Sequence, residues 1–305
     1  MKNLEMHFHT KLSDGLKSND EVFDFLKGKK IDFITATEHD IVNKDFQENM
    51  NLAGVKTAYG VEISSCDYMD KKSMHILNYS SIISETLDFR LEKLRNDKIE
   101  KIKLQIENLK NKGFISDYYE FISHYEKKGS NIFNLNSYDI AIYIYKNKEN
   151  VSFIEKTYKY KFSEEEFYRQ FLKKGGKFSH VGWIKLPDYE FDLKEITSHI
   201  SSDNIFSLAH PNLTFENNIS YFKEKVKKLV EFGLNAIEIN SIASKEWIEE
   251  IIKLQKKYDL ILTFGSDCHF REDFDGKHRE IFKLNPFLTE KIVNENYEKI
   301  MKKLY

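Results

Sequence analysis

Seven short apolar or alternating runs punctuate the sequence, and nearly every one contains, or is closely followed by, a histidine, an aspartate or a glutamate. The runs are Leu4 to His9, Phe33 to Glu38, Lys56 to Ile63, Ser73 to Tyr79, Ile205 to Ala209, Ala236 to Asn240 and Leu260 to Gly265. A polar turn and a longer amphipathic stretch follow them, which is the pattern of parallel β/α units. The expected class is α/β. In a parallel barrel all strand C-termini open at one mouth, so the residues at those ends would meet there.

The pattern breaks between the fourth and fifth runs. Residues from about Glu85 to His180 are rich in Lys and Glu and poor in strand-like runs, and read as a largely helical insertion after the fourth strand. The expected division is a barrel domain of residues 1–84 and 181–305 and a substrate-capping domain of residues 85–180. Leu87, Leu91, Leu94, Ile99, Ile102, Ile106 and Leu109 recur at mostly three- and four-residue spacing, with Gly113 just beyond, so a long helix with one apolar stripe opens the insertion.

Composition narrows the function classes. Lys and Arg (47) nearly balance Asp and Glu (49), which offers no general field for a long nucleic-acid backbone. There is no apolar leader and no run of membrane length, so a cytoplasmic protein with no obligate protein partner is expected. With two cysteines, Cys66 and Cys268, a Cys-rich zinc ribbon is excluded, and both read as buried fillers.

Chemistry concentrates at the ends of the runs. His7 and His9 stand two apart on the first strand, so their side chains leave the same face and can share an ion. Asp14 lies five residues on, in the polar loop Leu12-Ser13-Asp14-Gly15. His39, Glu62, His75, His210, Asp267 and His269 lie in or beside the other runs. His124, His180, His199 and His278 do not, and read as ordinary surface or packing residues. Glu38 would point away from His39 and reads as a structural carboxylate.

Charge gives the chemistry a direction. Three carboxylates (Asp14, Glu62, Asp267) and six neutral imidazoles cannot neutralise three divalent ions, so the loaded site would remain positive and favour an anion with an activated water. Phosphate esters suit it. Imidazole and carboxylate donors without thiolate favour zinc, manganese or iron over calcium and magnesium.

Together, His7-x-His9 with Asp14, Thr37-Glu38-His39-Asp40, Glu62, His75, Ala209-His210-Pro211 and Gly265-Ser266-Asp267-x-His269 resemble the PHP (polymerase and histidinol phosphatase) superfamily. The resemblance implies a distorted (β/α)7 barrel and two to three divalent ions (Mn, Fe or Zn). One would be held by His7, His9, Glu62 and Asp267, a second by Glu62, His75 and His210, and a third by Asp14, His39 and His269. The insertion is similar to that of stand-alone members acting on nucleoside 3',5'-bisphosphates or trimming short RNA from the 5' end. The implied partner is therefore a small phosphorylated substrate or short nucleic acid, with histidinol phosphate hydrolysis and a non-catalytic, metal-stabilised binding module as alternatives.

Two departures bear on substrate. The subgroup's Arg-Pro-His-Ile-Ala-like motif is replaced by Asn136-Ser137-Tyr138-Asp139-Ile140-Ala141, and Asn212 follows Pro211 where Gly is common. Arg271, Lys277 and Arg279, in the loop after the last candidate ligand, are the cationic candidates for a phosphate contact.

Overall fold

A computed structural model describes residues 1–69, 72–184, 191–199, 203–216, 218–270 and 280–305. Arg271, Lys277 and Arg279 lie outside the described residues. The chain divides into two compact units, Met1–Glu92 with Glu190–Tyr305, and Lys93–Tyr189.

The first unit carries eight strands among the described residues: β1 (Leu4–Glu5), β2 (Phe33–Ile34), β3 (Tyr59–Asp67), β4 (Lys72–Ser80), β5 (Phe191–Asp192), β6 (Ile205–Leu208), β7 (Ala236–Asn240) and β8 (Ile261–Gly265). β1 and β2 pair in parallel as a two-stranded sheet, and the other six form a sheet ordered β5-β3-β4-β6-β7-β8. β7 is buried along its whole length, as a strand covered on both faces must be.

The all-parallel reading needs correction. β3 and β4 pair antiparallel, with Tyr59 opposite Ser80 and Asp67 opposite Lys72, and β4 is antiparallel to β6 as well. The reason is chain length: Asp67 and Lys72 are too close in sequence for the dozen or so residues that a parallel crossover requires. His75 therefore sits near the start of β4, opposite Ser64 near the end of β3, so the reversed strand still delivers it to the C-terminal end of its neighbour.

The first two strands are also shorter than the runs that predict them, and the described ladders do not form one closed barrel. Beyond Glu5 the chain turns to single backbone bonds: Met6 N–H donates to Phe264 O, His9 N–H to Cys268 O, and Asp267 N–H to His7 O. On the other side Ile34 N–H donates to Lys56 O and Glu62 N–H to Glu38 O. The residues expected to carry chemistry thus lie where regular pairing gives way to isolated bridges, Phe8 with Cys268 and His39 with Glu62.

Helices cover the sheet with the faces their spacing predicts. Ile219–Glu231, capped by Asn218, buries Phe222, Val226 and Leu229, while Lys245–Tyr258, capped by Ser244, buries Trp247, Ile251 and Leu254. Glu290–Leu304 buries Val293, Tyr297 and Ile300. Cys66 and Cys268 are buried thiols, and burial pushes the Cys268 thiol up to about 12.

The second unit is helical and has its own core, including Ile106, Leu109, Phe121, Ile140, Ile144, Phe167 and Phe171. Its first helix, Glu85–Asn111, starts in the first unit and buries Leu87, Leu91, Leu94, Ile102, Ile106 and Leu109 of the expected stripe. The stretch Asn136 to Ala141 is a helix start: Asn136 and Asp139 form a capping box, and Ile140 and Ala141 are fully buried. Among the described residues no helix is long and apolar enough to cross a membrane.

Candidate metal centre

Glu62 is the hub. It lies on β3 with none of its side chain exposed, and its two oxygens face different imidazoles. Oε1 is 2.8 Å from His75 Nδ1 and 3.0 Å from His210 Nε2. Oε2 is 3.0 Å from His39 Nδ1, 3.2 Å from His9 Nε2 and 3.4 Å from His7 Nε2. Those distances are short, yet Oε2 has no hydrogen bond of acceptable geometry. A buried carboxylate oxygen ringed by three imidazole nitrogens yet left without a hydrogen bond fits a cation between them.

The other candidates complete the ring. His7 and His9 present their Nε2 atoms 3.4 Å apart, each within 3.4 Å of Asp267 Oδ1. Asp14 Oδ1 lies 3.1 Å from His269 Nε2, 3.7 Å from His9 Nδ1 and 3.8 Å from His39 Nε2. The structure thus brings all nine candidates into one network. Among the described residues three sets have donor atoms close enough to share an ion: His7, His9, Glu62 and Asp267; His9, Asp14, His39 and His269; and His39, Glu62 and His75. His124, His180 and His199 belong to none of them.

Local backbone explains how the groups converge. Asp40 (φ 55°), His210 (φ 27°) and Asp267 (φ 55°) adopt left-handed conformations within two residues of the end of a strand or bridge, which non-glycine residues avoid. The turn carrying Asp14 needs Gly15, since a Cβ there would stand 2.2 Å from His9 O.

Three further buried carboxylates sit behind the ring. Glu38, read from the sequence as structural, accepts from Thr10 N–H (3.0 Å), Ser13 N–H (3.1 Å) and Asn43 Nδ2 (2.9 Å), as well as from the Thr10 and Ser13 hydroxyls. Glu5 accepts from His7 N–H, Ser266 N–H and Oγ, and Phe282 N–H, and burial pushes its carboxyl up to about 7 despite those donors. Glu238, on β7, meets His7 Nδ1 and His210 N–H at 2.9 and 2.6 Å. Sequence reasoning missed Glu5 and Glu238. The available signal was a lone acid in an apolar strand, since a carboxylate in the all-buried run Ala236-Ile237-Glu238-Ile239-Asn240 must have buried partners.

The electrostatics are those of a ring built for positive charge. Burial alone would strip the His7 and His9 protons, but Glu238, Glu62 and Asp267 outweigh it, raising His7 well above the usual range and His9 to about 10. Burial opposes ionisation of Glu62 and Asp14 too, and the surrounding imidazoles prevail, holding both well below the carboxylate range. His39 goes the other way: burial prevails and lowers it to about 4. Imidazoles and carboxylates arranged this way, with no thiolate among the nine, suit divalent transition-metal ions.

No protein-family model matches the chain. Over 117 residues it is 33% identical to a probable phosphatase from Caldicellulosiruptor saccharolyticus, a match that takes in 35% of this chain. The chain spans about half the length of that curated relative, 47%. Two solved structures resemble the chain over nearly all of its length. One, from Bifidobacterium adolescentis and assigned as a metal-dependent phosphoesterase, superposes with a TM-score of 0.65 at 16% identity, covering 100% of this chain and 97% of the other. The second is an amidohydrolase from Chromobacterium violaceum with bound sulfate and no metal, with a TM-score of 0.64 at 18% identity and 97% and 96% coverage. The chain has their fold. At 16% and 18% identity the likeness is one of architecture.

Proposed function

We propose that the chain is a metal-dependent phosphoesterase of the PHP type, acting on a small phosphorylated molecule, a nucleotide such as a nucleoside 3',5'-bisphosphate, or a short oligonucleotide. The observation that carries this reading is Glu62 Oε2, buried and without a hydrogen bond amid three imidazole nitrogens. His7, His9, Glu62 and Asp267 would hold one ion, Glu62, His75 and His210 a second, and Asp14, His39 and His269 a third. Bound divalent ions supply Lewis-acid polarisation of a phosphoryl oxygen and lower the pKa of an attacking water.

The chain's own residues do the rest. Six imidazoles and three carboxylates leave the loaded ring positive, so it draws in an anion and offsets the charge that develops on the phosphoryl oxygens. The sulfate in the Chromobacterium violaceum structure is a tetrahedral anion of the size and charge that the reading requires. The single backbone bonds that join β1 to β8, and the β2 side to β3, support viewing the first unit as a distorted seven-stranded barrel with the ring at its mouth.

The test is elemental analysis of protein purified without added metal, followed by phosphate release from an aryl phosphate, histidinol phosphate, a nucleoside 3',5'-bisphosphate and short RNA. Bound transition metal and chelator-sensitive release are expected. Metal-free protein that releases phosphate from nothing, with or without added Mn²⁺ or Zn²⁺, would overturn the proposal.

A further inference from the structure

Of the three buried carboxylates behind the ring, Glu5 and Glu38 accept from backbone N–H groups and hydroxyls. Glu238 alone among them meets an imidazole directly. Its Oε1 lies 2.9 Å from His7 Nδ1, and its Oε2 accepts from the backbone N–H of His210 at 2.6 Å. The side chain is fully buried, so neither bond competes with water.

Each bond has a separate consequence. An imidazole that donates through Nδ1 leaves the Nε2 lone pair for an ion, and His7 Nε2 is the atom that faces Glu62, Asp267 and His9. At the other oxygen, His210 has φ 27° and ψ 59°, a left-handed backbone conformation that residues with a Cβ rarely adopt. A charge-assisted bond to its N–H holds that conformation and keeps the ring aimed at Glu62 Oε1, 3.0 Å away. His7 and His210 lie far apart in the sequence, and their rings stack with centroids 5.7 Å apart.

We propose that Glu238 is a positioning residue that sets the tautomer of His7 and the backbone of His210 together, so that one carboxylate pre-forms donors for two different ions. The inference rests on reading the ring as a metal centre. Glu238 would touch neither ion nor substrate, so its contribution should register in ion affinity before it registers in the fold.

Glu238→Gln separates the alternatives, because an amide can accept from one of the two N–H groups but must present its own N–H to the other. Protein stripped with a chelator is titrated with Zn²⁺ or Mn²⁺ against a competing indicator, alongside far-UV circular dichroism and the melting temperature of the metal-free form. The expected result is an affinity lower by about tenfold to a hundredfold for at least one ion, with the metal-free fold retained. Glu238→Asp, too short to reach both partners, should also bind more weakly than wild type, and it carries the test if the Gln variant fails to fold. Wild-type affinity in a folded E238Q or E238D overturns this inference alone, even if the melting temperature drops. Wild-type protein that takes up no ion overturns the metal-centre reading and this inference with it.

Discussion

Gly265 lies so tightly against His7 that a Cβ at position 265 would stand 2.2 Å from His7 Cβ and 2.5 Å from Glu238 Oε1. The closest atom is the root of a buried side chain, which has nowhere to retreat. Gly265→Ala should therefore push His7 off Glu238 as well as overpack the strand end, destabilising the protein by about 1–3 kcal/mol. Urea denaturation and metal analysis check both halves of the prediction. A variant as stable and as metal-rich as wild type would mean that β8 can shift, and that the ring is looser than its distances imply.

Glu62 makes a sharper test of the ring. Both oxygens face imidazoles, so Glu62→Gln replaces one of them with an N–H donor aimed at a nitrogen meant to coordinate. Metal content should fall by at least one ion per chain, and turnover of whichever phosphate ester proves active should drop by about a hundredfold or more, given the several kcal/mol that such ions contribute. Full activity in this variant would remove Glu62 from the mechanism.

How far the sequence could be read depends on which physical signal each feature leaves in it. His7 and His9 were legible because strand alternation fixes their common face, and the long helix because Leu87 to Leu109 recur at helical spacing. The direction of β4 leaves its trace only in the short span between Asp67 and Lys72, which excludes a parallel crossover. The left-handed turn at His210 was invisible, because nothing about His-Pro-Asn demands it. It is held by Glu238, which comes from another strand, and such long-range pairing leaves no local signature. Asn136 to Ala141 was read by comparison with a motif, whereas its capping box and buried Ile140 and Ala141 account for those residues as the start of a helix.

Loading the ring with metal should release protons. In the metal-free protein the His9 pKa is raised to about 10, because Asp267, Glu62 and Asp14 outweigh burial. At pH 8 that imidazole is protonated, and it must be neutral to coordinate. Calorimetric titration with Zn²⁺ at pH 8 in two buffers of different ionisation enthalpy should show about one proton or more leaving with the first ion. The sign extends to stability: a raised pKa stabilises the metal-free fold below the unfolded value of about 6.5, and that contribution is lost as pH rises through about 10. Equal heats in the two buffers would contradict the protonated ring.

Away from the ring, Asp67 ends β3 with Lys225 Nζ at 2.7 Å and Lys228 Nζ at 2.6 Å, and Lys225 is only 2% exposed. Burial opposes ionisation of the carboxylate, but the two ammonium groups prevail and lower it from 3.8 to about 2. A depressed carboxylate stabilises the fold above its unfolded pKa, and that stabilisation disappears as pH falls through the folded value, so roughly 2 kcal/mol should be present at pH 7 and vanish below pH 2. Asp67→Asn also takes from the buried Lys225 ammonium the carboxylate that lies 2.7 Å away, for a total loss of about 3 kcal/mol at pH 7. Urea unfolding with chelator present, which keeps metal out of the comparison, should show the gap between wild type and variant narrowing by about 1 kcal/mol on going to pH 3. A gap that stays constant or widens in acid would mean that the two lysines hold Asp67 no better in the folded chain than water does in the unfolded one.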